Sequence, residues 1–259
     1  MKLLPLLIVF TLVLSISVHA APQHLTFGVM NAHPFVMLKD GQIDSADPGI
    51  FIEYLQMVAK RTGITIDYKM CPPKRCFIML GKGKLHGMPI GSYSTERHNK
   101  YAAYPMKDGR VDVSRKTVEG QYSLYTLKNS SISWDGKTLR GVHKPIGVNL
   151  GYSITHFFKS RNIALVENGS ARACMEMLVL GRVSGVATFP VVGDNIVASH
   201  KKFESIIRTP LPLITKAYYL LLSHQFVDAN TQLANELWQA AANIGKEGKY
   251  GELLKKYIK

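Results

Sequence analysis

Apolar residues recur at two spacings in the first half of the chain, and the alternation between them predicts an α/β fold. Short apolar runs, typical of buried strands, lie at 25–30, 64–68 and 85–90. Helical spacing predicts a helix that begins at Asp47-Pro48, where a capping carboxylate precedes proline, and ends at Gly63. Pro72-Pro73 opens a second helix that runs to about Leu80. Strands separated by helices favour a mostly parallel sheet.

A second unit of the same kind follows a polar stretch at 107–119, which we interpret as a loop. Its predicted strands lie at 121–127, 145–148, 163–166 and 183–189, and its predicted helices lie around 157–158 and at 171–180. The chain closes with a predicted strand at 217–223, a long amphipathic helix at 227–244 and a last helix at 250–258. The pattern therefore predicts two alternating α/β units, the second spanning about 120–215.

The N-terminus has the pattern of an export signal. Lys2 precedes an apolar run that ends at Val18, and Val18-His19-Ala20 suits signal peptidase. We therefore expect residues 1–20 to be a signal peptide cleaved after Ala20, and the mature protein to be soluble in the periplasm. The residue directly after this cleavage site is Ala21 and not a cysteine, so a lipid anchor is not expected.

The net charge is strongly positive. The 259 residues include 32 lysines and arginines against 18 acidic residues, which gives a formal charge of +14. A basic protein can meet anionic membranes, acidic ligands or nucleic acid. The basic residues are scattered, and no zinc-finger, basic-zipper or aromatic RNA-binding signature occurs. Because an exported protein also rarely meets nucleic acid, we do not expect that partner.

The three cysteines favour a disulfide, because export places them in an oxidising compartment. Cys71 and Cys76 enclose only four residues, so a short loop disulfide is the leading interpretation, with Cys174 left as a buried thiol. Spacing alone does not determine the pairing, and Cys76 with Cys174 is the chief alternative.

Motifs for catalysis and for cofactors are missing from the sequence. There is no His-Glu-x-x-His, no phosphate-binding loop and no Gly-x-Ser-x-Gly turn. The histidines are spread along the chain, so a histidine-based metal site would need long-range convergence. The sequence therefore predicts neither a cofactor nor a metal.

Three segments are candidate ligand loops, because each follows a predicted strand and open α/β sheets bind ligands at strand ends. In His33-Pro34-Phe35, the aromatic ring offers an apolar wall, although it could equally be a core residue. In the second segment, Gly91 to Arg97, the backbone amides and the side chains of Ser92, Tyr93 and Arg97 could surround an anion. An arginine fork there suits a carboxylate, and the alternative is an ordinary surface arginine.

The third segment is Gly151-Tyr152-Ser153, which precedes the helix with Phe157 and Phe158. Free N–H groups at a helix start favour an anionic group. The alternative is an ordinary cap, in which Ser153 closes its own helix.

The chain resembles the family 3 extracellular solute-binding proteins, the amino-acid-binding type of periplasmic receptor. The resemblance rests on the order and spacing of several loose motifs over nearly the whole mature chain. These are His33-Pro34-Phe35, Gly83 to Gly87, Ser94 to Arg97, Tyr104-Pro105, Leu139 to Gly141, Ile146 to Val148, Gly181 to Val183, and Gly248 to Tyr257.

The resemblance implies a type II binding-protein fold, in which two α/β lobes are joined by two crossing strands and hold the ligand between them. It implies a first lobe of residues 21–119 plus 216–259 and a second lobe of 120–215. Arg97 matches the arginine that clamps the ligand's α-carboxylate, and Ser92 matches a polar residue beside it. Gly151 to Ser153 match the second-lobe loop, and Phe35 matches a stacking aromatic.

One departure from the family bears on the ligand. Members commonly carry an aspartate that pairs with the ligand's α-amino group, and Phe189 stands at that position here. Asp194 lies five residues further on and does not simply replace it. Because an ammonium buried without a partner is costly, we hypothesise that the ligand is an organic anion without that ammonium. His86 replaces a second usual aspartate, which indicates a divergent branch.

The resemblance implies a monomeric receptor without chemistry of its own, which delivers its solute to a membrane transporter. The first alternative is a sensory role, with a membrane signalling protein as the partner. The second is a dehydratase-like enzyme on the same scaffold, for which His33, His86 or Glu96 would be the acid or base. The third is a structural or interaction protein, which an internal salt bridge at Arg97 would favour.

Overall fold

The structure is a computed structural model that describes residues 23–257; the predicted signal peptide, residues 1–20, lies outside them. The strands are β1 (His24–Val29), β2 (Leu38–Lys39), β3 (Gln42–Ile43), β4 (Thr65–Met70), β5 (Gly87–Ser92), β6 (Met106–Lys107), β7 (Arg110–Val111), β8 (Val118–Leu127), β9 (Ser133–Trp134), β10 (Leu139–Arg140), β11 (Ile146–Asn149), β12 (Leu165–Asn168), β13 (Gly185–Thr188), β14 (Ile206–Arg208) and β15 (Ile214–Leu222). The helices are α1 (Ile50–Thr62), α2 (Pro73–Gly81), α3 (Thr95–Lys100), α4 (Thr155–Lys159), α5 (Ala171–Val179), α6 (Pro190–Ser199), α7 (His224–Ala229), α8 (Thr231–Lys246) and α9 (Lys249–Tyr257).

Nine strands form one mixed sheet in the order β12-β11-β13-β8-β15-β5-β1-β4, with β14 beside β8. At one end β4, β1 and β5 are parallel, and at the other end β12, β11 and β13 are parallel. The long strands β8 and β15 pair antiparallel and join the two parallel sets. The predicted α/β class with two crossing strands is therefore confirmed. We call the β4-β1-β5 half the first lobe and the β12-β11-β13 half the second lobe; the exact residue boundaries stay a prediction.

Buried apolar residues form four clusters, two mainly in each lobe. In the first lobe, α1 and α8 cover the sheet around Phe27 and Leu55, and the Trp238 Nε1–H donates to the Leu220 carbonyl at 3.0 Å. In the second lobe, Ile146 and Phe158 are completely buried. These buried clusters explain why each alternating α/β unit packs at its own end of the sheet, with the crossing strands β8 and β15 between the two units.

The start of α1 differs from the prediction. The residue before the helix is Gly49, with φ of 98°, and no side chain caps the helix. A Cβ at Gly49 would lie 2.7 Å from the Phe35 carbonyl oxygen, so a tertiary contact and not the Asp47 carboxylate decides where α1 begins. Gly63 ends the helix in the left-handed conformation, with φ of 67°, as predicted.

Two further predictions of secondary structure are wrong, and some elements were missed. The stretch 107–119 is not a loop throughout, because it contains most of the β6–β7 hairpin and a 3₁₀ turn at Val113–Arg115. The long helix predicted at 227–244 is two helices, α7 and α8, which meet at Asn230. The apolar helix α6 and the short strand β14 were not predicted, because neither has a clear periodicity in the sequence.

The disulfide lies where the spacing favoured it. Cys71 and Cys76 are bonded, with Cα atoms 5.5 Å apart, and Cys174 is a buried free thiol. The alternative pairing of Cys76 with Cys174 is therefore wrong. Among the helices of the described part of the chain, none is long and apolar enough to cross a membrane.

Candidate ligand-binding site

A cavity of about 1070 Å³ lies between the two lobes. Its walls come from the loops after β1, β5, β11 and β13 and from the crossing strands, so the sheet places strand ends from both lobes at one site. Eight of the nine predicted ligand-binding residues line it: His33, Phe35, Ser92, Arg97, Gly151, Tyr152, Ser153 and Phe189. Tyr93 does not line the cavity, because its ring packs against His98 and Tyr104.

Arg97 is held in the cavity wall by neutral groups. It lies on the short helix α3, whose cap Ser94 accepts from the Arg97 backbone N–H at 3.2 Å. The Arg97 Nη1 donates to the Ser92 carbonyl at 2.7 Å, and the guanidinium lies 4.6 Å above the ring centre of Phe77. No carboxylate of residues 23–257 forms a salt bridge with Arg97. Its charge is therefore oriented but not neutralised.

The two lobes touch beside Arg97. The Ser92 Oγ, at the end of β5, donates to the Ser153 Oγ at 2.9 Å. The Lys216 Nζ, on the crossing strand β15, donates to the Ser153 carbonyl at 3.1 Å and lies 3.3 Å from its hydroxyl. Sequence reasoning missed Lys216, which stood one residue outside the predicted strand; a lone lysine next to an apolar run is the signal that could have found it.

An aromatic cluster forms the apolar side of the cavity. The Phe189 ring stacks on Tyr122 with centres 4.4 Å apart, and it meets the Phe35 ring edge-on at 6.2 Å. Tyr152 and Tyr218 lie 5.3 and 5.8 Å from the same ring. Phe189 thus bridges the lobes, and it occupies the middle of the cluster.

The tyrosines keep their protons at neutral pH. Burial raises the pKa of Tyr218 to about 12, and burial also raises the pKa of Tyr122 well above its usual range. The Tyr218 hydroxyl is buried and has no hydrogen-bond partner among residues 23–257. It is therefore available as a donor to a bound molecule.

The two carboxylates in the cavity wall are both occupied. Asp194 accepts from the Tyr125 hydroxyl at 2.7 Å and forms a salt bridge with Arg208 at 3.1 Å. Glu119 forms a salt bridge with Lys116. A positively charged ligand group would have to compete with these partners.

Sequence comparison shows the family. The family model described as bacterial extracellular solute-binding proteins, family 3, matches residues 25–259. The chain belongs to this family. No curated protein matches the chain in sequence.

Solved structures with the same fold are numerous. A histidine kinase sensor domain with similarity to periplasmic binding proteins superimposes with a TM-score of 0.71 at 14% identity, over 92% of this chain and 97% of that chain. The GluR0 ligand-binding core from Nostoc punctiforme in complex with L-glutamate gives 0.69 at 15%, over 90% and 99%. An ancestral arginine-binding protein bound to glutamine gives 0.67 at 19%, over 91% and 97%. At these identities the likeness shows the fold alone, and it confirms the predicted two-lobe type II architecture.

The three side chains considered for catalysis in this solute-binding protein do not come together. The His86 Nδ1 accepts from the Thr26 backbone N–H at 2.8 Å, away from the cavity wall. Glu96 accepts from Lys100 at 3.1 Å on the exposed side of α3. Among the three, His33 alone lines the cavity.

Proposed function

We propose that this solute-binding protein captures a small organic anion between its lobes in the periplasm and delivers it to a membrane transporter. The observation that carries the proposal is Arg97, a guanidinium in the cavity wall whose described hydrogen bonds go to neutral oxygens. A carboxylate on the ligand would supply the missing negative charge.

Electrostatics make Arg97 a strong anchor. A hydrogen bond to a charged group contributes roughly 1.5–3 kcal/mol, and a carboxylate can accept two parallel bonds from one guanidinium. Phe77 beneath the guanidinium adds a cation–π contact and limits its orientation. The site is thus pre-organised for a carboxylate.

Within residues 23–257, the cavity wall offers no free carboxylate to an ammonium group. Phe189 stands where relatives by resemblance carry an aspartate, and its ring is surrounded by other aromatic rings. Asp194 and Glu119 already have cationic partners. An α-ammonium placed against Phe189 would be buried without a carboxylate to pair with, which is costly. We therefore infer an anion with an apolar or aromatic body and no α-amino group.

Closure of the lobes would couple binding to delivery. A ligand that touches both lobes stabilises the form in which Ser92 and Ser153 are close. Delivery requires a permease that recognises this form, whereas a sensory role requires a signalling protein instead. Domains with each of these two roles occur among the structural neighbours, which include the substrate-binding protein of an amino acid ABC transporter and a histidine kinase sensor domain.

A thermal-shift screen of residues 21–259 tests the proposal. Aromatic and aliphatic carboxylates, amino acids and amines are each added, since ligand at a hundred times its dissociation constant adds roughly 2.7 kcal/mol of stability. We expect melting shifts with carboxylates that lack an amino group, and their loss in Arg97→Ala. Arg110→Ala, which removes an exposed arginine of β7 that does not line the cavity, is the matched control.

Two results would contradict the proposal. Clear shifts with ordinary amino acids would overturn the inference drawn from Phe189. Undiminished binding by Arg97→Ala would show that the carboxylate receptor lies elsewhere.

A further inference from the structure

Lys216 lies beside the proposed anion site. It is two residues from Tyr218 on β15, so both side chains leave the same face of the strand, and Tyr218 lines the cavity. Lys216 pairs across the sheet with Gly120, another cavity residue. Its ammonium group holds both the carbonyl and the hydroxyl of Ser153. Lys216 is not itself among the residues that line the cavity; it stands directly behind Ser153, next to the point where the lobes meet.

A row of contacts connects Lys216 to Arg97. The Arg97 Nη1 lies 3.4 Å from the Ser92 Oγ, and that hydroxyl lies 2.9 Å from the Ser153 Oγ. Ser153 in turn contacts Lys216 at 3.3 Å. The hydroxyls of Ser92 and Ser153 therefore lie between two cations, with Arg97 on one side and Lys216 on the other. Within residues 23–257, neither cation forms a salt bridge with a carboxylate.

The arrangement leaves positive charge that nothing in the described part of the chain compensates. Arg97 and Lys216 repel each other, and both are partly withdrawn from water. Burial, and then the charge of Arg97, lower the pKa of Lys216. Partly buried like charges destabilise each other unless an opposite charge enters between them. A ligand with one negative charge would balance only one of the two positive charges of Arg97 and Lys216.

We propose that Lys216 is a second anion contact of the site and that the solute carries two negative charges. The inference rests on the proposed function, because it assigns the charge of the same bound anion. Either two carboxylates or one doubly charged group such as a phosphonate has this chemistry. The unpartnered Tyr218 hydroxyl is a further donor for the additional oxygens.

Matched ligand pairs separate charge from shape. Glutarate and its half-amide glutaramate have nearly the same outline but differ by one charge, and phenylphosphonate and benzoate compare one doubly charged group with one singly charged group. Calorimetric titration of residues 21–259 should show tighter binding of the dianion in at least one pair. The expected preference is about 10- to 150-fold, the equivalent of one charge-assisted hydrogen bond.

Lys216→Met tests the residue, since methionine keeps an unbranched stem without the charge. We expect this variant to lose more affinity for the dianion than for the monoanion, so that the preference for the dianion disappears. Lys128→Met, at an exposed lysine after β8, should leave both affinities unchanged. A preference for glutarate over glutaramate would assign the two charges to two carboxylates, and a preference for phenylphosphonate over benzoate would assign them to one group.

Other results would overturn the inference. Equal binding of monoanion and dianion, still dependent on Arg97, would refute the second charge and leave the proposed function intact. Equal weakening of both ligands in Lys216→Met would show that Lys216 only positions Ser153. Binding of no anion by the unmodified protein would refute the proposed function and this inference with it.

Discussion

Gly151 offers a test of how the lobes come together. It lies in the second-lobe loop after β11, in the left-handed conformation with φ of 79°. A Cβ built on Gly151 would lie 2.9 Å from the Pro73 Cβ, at the start of α2 in the first lobe. Gly151→Ala therefore adds two separate penalties, one in the backbone and one between the lobes.

The backbone penalty applies whether the lobes are together or apart, whereas the steric penalty applies only when they are together. An alanine in the left-handed region costs roughly 1–2 kcal/mol whether the lobes are together or apart. The overlap with Pro73 adds an overpacking cost of about 1–3 kcal/mol, and it exists only when the lobes are together. Ligand affinity should therefore fall by about 5- to 150-fold, since binding requires closure.

Gly41 supplies a matched control. Its φ is 78°, and a Cβ there would have nothing within 4 Å. Gly41→Ala should lose a similar free energy of unfolding in a urea titration and keep the affinity of the unmodified protein. We would measure affinity by calorimetry with the tightest carboxylate of the screen and lobe separation by small-angle X-ray scattering. If Gly151→Ala binds as tightly as Gly41→Ala, the Pro73 contact is not part of the ligand-bound state.

Three more predictions concern stability and specificity. Replacing Cys71 and Cys76 together by serine should cost about 2 kcal/mol of unfolding free energy in a urea titration, since the closed loop is short; an unchanged midpoint would contradict this. Phe189→Asp should create binding of α-amino acids, measured by thermal shift, because it provides an ammonium partner; continued rejection of them by the folded variant would count against the assigned position. Backbone N–H groups of Thr138 and Lys137, followed by Arg140, lower the pKa of Asp135 to about 2. The stability that this lowered pKa contributes is present above the ordinary pKa of an aspartate and is lost as the pH falls towards 2. Asp135→Asn should therefore reduce the loss of unfolding free energy between these two pH values, the acid limb of the stability curve. An acid limb as steep as that of the unmodified protein would refute the assignment.

Secondary structure was predictable wherever local periodicity and turn chemistry agree. Gly63 ends α1 as predicted, and Pro73 begins α2. The prediction failed where a distant contact decides, as at Gly49 against Phe35. It also failed at Asn230, where the apolar pattern continues across the break between two helices.

The candidate site was predictable to the extent that it lies at strand ends. Each of the loops with Ser92, Arg97 and Ser153 was singled out because it follows a strand, and the family resemblance implied that they share one ligand. The cavity's aromatic lining was only partly expected, because Phe77 and Tyr122 come from elements whose orientation the sequence pattern does not specify.

The sequence by itself determined the alternating elements and the family, because each depends on neighbouring residues or on the order of motifs; it favoured the Cys71–Cys76 disulfide, and the structure decided that pairing. The tertiary structure alone decided which charges are compensated. Asp194 meets Arg208, and Lys216 meets Ser153 and not a carboxylate. Electrostatic compensation depends on distances of a few ångströms between residues far apart in the chain. For that reason the net charge of the cavity, on which the ligand's charge depends, emerges only from the folded arrangement.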